Sequence, residues 1–93
     1  MSKKSIQPED ILPDGVDKIE MNGRVVRKGT IAAFLANIEI FEDFKANEEQ
    51  KQEAAVALKN LASAVVAIGL HKHVIFKNPK IEQILIDADN YDN

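Results

Sequence analysis

The dipeptide Asn22-Gly23 constrains this chain more than any other feature. It is flanked by Lys18-Ile19-Glu20-Met21 and Arg24-Val25-Val26-Arg27. Both central residues of a type I′ turn need positive φ, which Asn and Gly tolerate, so the stretch reads as a β-hairpin closed by a two-residue loop. That loop length pairs Met21 with Arg24 and Ile19 with Val26. Ile19, Met21 and Val26 then lie on one face, and Lys18, Glu20, Val25 and Arg27 on the other. A two-stranded hairpin is marginal alone, so its apolar face must rest on a helix or a third strand.

Gly29-Thr30 follows the hairpin and opens an apolar helix, with Thr30 placed to cap it. Ile31, Phe34, Leu35, Ile38 and Phe41 recur at helical spacing, and Ile40 and Phe44 widen the stripe. Ala32, Ala33 and Ala36 fill the first turns, so the first half is apolar on nearly every side, as in a central element. Asn47 then caps a second helix whose first turn carries Glu48 and Glu49 near the positive end of the helix dipole. Ala54, Leu58, Leu61, Val65 and Ile68 form its stripe. Gly69 ends it, with Leu70 placed to make a Schellman contact to Val65.

The two helices form an antiparallel hairpin. His73 to Phe76 reads as a short strand. Asn78-Pro79 then starts a terminal helix with Ile81, Ile84, Leu85 and Ala88 at helical spacing; a strand over 81–86 is the competing assignment. The fold class is therefore α+β: an N-terminal β-hairpin, an antiparallel helical hairpin, a short strand and a short C-terminal helix. Residues 1–10 read as a flexible tail, 11–88 as a single domain and 89–93 as an acidic C-terminal tail.

Ninety-three residues form one small core, and with four Phe, one Tyr and no Trp that core must be built from aliphatic layers. A net charge of −3 gives no general attraction to nucleic acid or anionic lipid. With no cysteine, disulfide frameworks, thiolate nucleophiles and Cys-based metal sites are excluded. Met1 to Asp10 lacks the apolar stretch of a secretory signal. The Ala-rich run 54–70 is broken by Lys59, Asn60 and Ser63 and is too short for a membrane span. A cytoplasmic protein with no membrane partner is the expectation.

The segment Arg27-Lys28-Gly29-Thr30-Ile31-Ala32-Ala33-Phe34-Leu35-Ala36-Asn37 resembles a stretch in a family of short, uncharacterised bacterial proteins, in which Gly-Thr opens an Ala-rich helix after a hairpin. The resemblance covers the middle third of the chain. It implies a small bacterial cytoplasmic protein and supplies no activity, cofactor or catalytic residue.

Few side chains are arranged for chemistry. His71 and His73 would share a face of a strand and could ligate a divalent metal, with Asp87 or Asp89 as a third ligand, but Lys72 between them opposes a cation. Ordinary exposed residues after a helix end are the simpler reading. Asp87, Asp89 and Asp92 lack the central Gly and final Glu of a calcium loop. Ser63 has no base nearby in sequence. Arg24, Arg27 and Lys28 gather basic charge on the hairpin, without the broad basic face or stacking aromatics of a nucleic-acid binder.

No cofactor is expected. The reading favoured is a small non-catalytic protein-interaction module that forms a homodimer through Ile40, Phe41 and Phe44, because one hairpin and one short helix cannot cover the whole first helix. A nucleic-acid-contacting regulator using the basic hairpin is the alternative. A ligand-binding protein or enzyme with a pocket between subunits is the third.

Overall fold

The computed structural model describes residues 5–91. Among these, Pro8–Ile11 (α1) is a single helical turn with no buried residue, Lys18–Met21 (β1) and Arg24–Arg27 (β2) form the hairpin, and three longer helices follow. These are Thr30–Glu42 (α2), Glu48–Ile68 (α3) and Pro79–Tyr91 (α4). The class is α+β, with a two-stranded antiparallel sheet beside a helical core.

Strand register follows the turn. Asn22 has φ 49° and Gly23 φ 81°, and the pairs are Ile19 with Val26 and Met21 with Arg24. The ladder is extended by Lys28 N–H donating to the Asp17 carbonyl at 2.6 Å. Val26 is buried where β2 packs on α3, which gives the hairpin the support it lacks alone.

Helix α2 does not start as expected. Gly29, at φ 84°, occupies the cap position, and the Thr30 hydroxyl donates to the Arg27 carbonyl at 2.7 Å instead of capping the helix. Thr30 is already helical and buried, so its hydroxyl meets the strand end just behind it. The start of α3 is as read: the Asn47 side chain accepts from Gln50 N–H at 2.8 Å, and the Gln50 side chain accepts from Asn47 N–H at 2.9 Å. Gly69, at φ 95°, ends α3 by donating to the carbonyls of Val65 and Val66. Leu70 then enters a 3₁₀ turn, Leu70–Lys72, and packs against the core. The end is therefore an αL cap with a 3₁₀ continuation, in place of a Schellman motif.

The strand expected over His73–Phe76 is absent; this segment is irregular. Strands need ladder partners, and here the backbone finds another acceptor. Phe76 N–H donates to Glu82 Oε1 at 3.0 Å, while its ring meets Phe34 edge-on with centroids 5.7 Å apart. Asn78 accepts from Lys80 N–H at 2.9 Å and donates to Glu42 Oε2 at 3.3 Å, tying the start of α4 to the end of α2. Residues 81–86 are helical, and α4 continues to Tyr91, so most of the segment read as a loose acidic tail is helix. Residues 1–4 of the expected N-terminal tail, and Asp92 and Asn93, lie outside the described residues.

The core joins one stripe from each long helix: Phe34 of α2, Leu58, Ala62 and Val65 of α3, and Ile81 and Leu85 of α4. Helices α2 and α4 both pack on α3. Two flanks therefore stay open, one beside α2 and one beside α4.

Candidate functional site

The corner between α2 and α3 is held from both sides. Asp43 Oδ1 accepts from Lys45 N–H at 2.9 Å, the Asp43 carbonyl accepts from Ala46 N–H at 3.0 Å, and the Asn47–Gln50 box begins the next helix. Such a side chain-to-backbone turn fixes the chain locally. Phe44, at its tip, projects outward and is 85% exposed, with Lys45 Nζ 5.9 Å from its ring centre. One turn back, Ile40 is 43% exposed. Of the three residues read as dimer candidates, Phe41 instead turns inward against the core cluster. Helical geometry separates them, because adjacent positions lie about 100° apart and Ile40 and Phe41 cannot share a face.

Beside Ile40 a cleft of about 670 Å³ runs between α2 and α3, bordered by Asp43, Lys45, Glu53, Ala54 and Ala57. The alanines make it, since their side chains end at Cβ.

A second, polar cleft of about 220 Å³ lies where the hairpin tip meets the end of α3 and the end of α4, and includes Arg24, Ser63, His71, Lys72 and Asp89. Asn22 Nδ2 donates to the Ala67 carbonyl at 2.8 Å and so fastens the hairpin tip to α3. His71 Nε2 stands 3.5 Å from Asp89 Oδ1, with the imidazole 17% and the carboxylate 41% exposed. The other ring nitrogen, Nδ1, is buried and has no hydrogen-bond partner among the described residues. Ser63 borders the same cleft, yet it does not bond that nitrogen, so no serine–histidine–carboxylate relay runs through Nδ1.

The His71–Asp89 pair brings together two of the metal candidates. His73 is exposed in the irregular segment beyond, and among the described residues no three His, Cys, Asp or Glu side chains cluster as ligands would. The basic hairpin residues are likewise divided. Arg24 pairs with Met21 and so shares the inward face, whereas Arg27 lies on the opposite face and Lys28 follows the strand. That division was legible from the turn itself, since the register sets each strand residue's face. Nothing in the sequence marked Glu53, and the apolar spacing of the second helix marked Ala54 only as part of the core stripe.

No helix among the described residues is long and apolar enough to cross a membrane. Comparison with protein-family models, with curated proteins and with solved structures finds no match.

Proposed function

We propose that this chain is a small non-catalytic protein-interaction module that works as a homodimer, joining copies through the surface formed by Ile40 of α2 and Phe44 of the corner that follows it. The observation that carries this reading is Phe44, a large apolar side chain held 85% exposed at the tip of a hydrogen-bonded corner. Fully burying such a side chain contributes about 1.5–3 kcal/mol, which the single chain leaves unrealised. Ile40 adds further apolar surface one turn away. Two copies present two such sets, enough to offset part of the cost of association.

Sedimentation equilibrium at micromolar concentration tests this. The wild type is expected at twice the 10.3 kDa chain mass, and Phe44→Glu is expected to shift it toward monomer. A wild type that stays monomeric at high concentration refutes the reading.

A further inference from the structure

Resting on that homodimer reading, we infer that each copy inserts its Phe44 into the α2–α3 cleft of the other, with Lys45 of each copy paired to Glu53 of its partner. Knob and hole lie side by side. Asp43 and Lys45, the residues on either side of Phe44, both border the cleft, and its floor is formed by Ala54 and Ala57 with Ile40 at the rim. In an isologous contact the same patch meets itself, so a surface serves only if its features complement one another across a two-fold axis. An axis passing beside the corner carries each projecting ring over the other copy's alanine floor.

Charge fits the same arrangement. The cleft border holds the cation Lys45 and the anions Asp43 and Glu53, and Asp43 Oδ1 is already engaged by the Lys45 N–H within the corner. Among the described residues the Lys45 ammonium makes no salt bridge and stands over the Phe44 ring, and the Glu53 carboxylate has no hydrogen bond or ion pair. The two-fold axis that seats Phe44 also turns these charges into two equivalent opposite-sign pairs. A second copy therefore supplies, in one patch, an apolar knob, a cleft in which Ile40, Ala54 and Ala57 lie among polar borders, a cation and an anion. No partner of another sequence is needed to satisfy them.

The test uses the full chain and two single charge reversals, Lys45→Glu and Glu53→Lys, both at exposed positions where folding is retained and is checked by circular dichroism. Each variant alone sets like charges against each other twice, and its self-association is expected to weaken by about tenfold or more. Mixed, the two variants restore both pairs, so heterodimer is expected to form with an affinity near that of the wild type, read by energy transfer between labelled chains. The double variant, with both pairs inverted, is expected to dimerise again.

If the wild type dimerises but both single variants self-associate as it does, and mixing gives no preference for heterodimer, this geometry is overturned while the homodimer stands. If the wild type dimer survives Phe44→Glu, insertion of the ring is overturned as well. If the wild type is monomeric, both proposals fall.

Discussion

Replacing Gly69 by Ala isolates one physical effect. The glycine sits at φ 95°, ψ 12° at the end of α3, and a Cβ built there meets no atom within 4 Å. No clash or repacking therefore enters, and the cost is that of a left-handed backbone for an L-residue, about 1–2 kcal/mol. Against it stands the lower entropy of the unfolded chain when Gly becomes Ala, which stabilises by about 0.4–1 kcal/mol. The difference centres near about 0.8 kcal/mol of destabilisation. For a domain of this size that is a fall of about 3–6 °C in Tm. Urea denaturation should show a lower midpoint with an unchanged slope, because the buried surface does not change. Two further variants fix the cause. Gly69→Asn should cost less than Gly69→Ala, since Asn tolerates the left-handed region. A D-alanine introduced at position 69 by chemical synthesis should stabilise, because the mirror-image residue favours positive φ. A neutral or stabilising L-alanine, or a destabilising D-alanine, would refute the reasoning.

Leu58 is fully buried at the centre of the three-helix contact, so Leu58→Ala should cost about 2–5 kcal/mol in chemical denaturation, from lost transfer energy and the cavity left behind. At the hairpin tip, Asn22→Gly removes the hydrogen bond to the Ala67 carbonyl while keeping the positive φ, and should cost about 1 kcal/mol; Asn22→Ala adds backbone strain and should cost about 1 kcal/mol more. Equal losses for the two variants would show that the turn is not held in the left-handed region. Titration with duplex DNA or RNA at physiological salt should show no submicromolar binding; tight, steeply salt-dependent binding lost in the Arg24→Ala, Arg27→Ala double variant would restore the hairpin as a nucleic-acid contact.

The sequence alone determined the features that depend on a few neighbouring residues. Asn22-Gly23 set the hairpin and its register, because only residues tolerant of positive φ fit that turn and because side chains alternate from it. Asn47 and Gly69 bounded α3, since caps satisfy backbone groups within one turn. Asn78-Pro79 began α4 for the same reason. Tertiary structure decided what depends on distant partners. His73–Phe76 forms no strand, because Glu82 takes the Phe76 N–H and Phe34 takes its ring. Thr30 does not cap α2, because its hydroxyl is used by the end of β2. Phe41 goes inward because it lies on the stripe of α2 that packs against the core, whereas Phe44 lies beyond the end of α2, at the tip of the corner, and stays exposed. His71 meets Asp89 although 18 positions separate them, because the irregular segment after the 3₁₀ turn carries the chain back to the end of α2, where Asn78 bonds Glu42, and α4 then runs alongside α3 in the same direction and brings its last turn to the 3₁₀ end. Local backbone needs were written in the residues themselves, whereas the choice of which apolar side stays wet required the packing of all three helices at once.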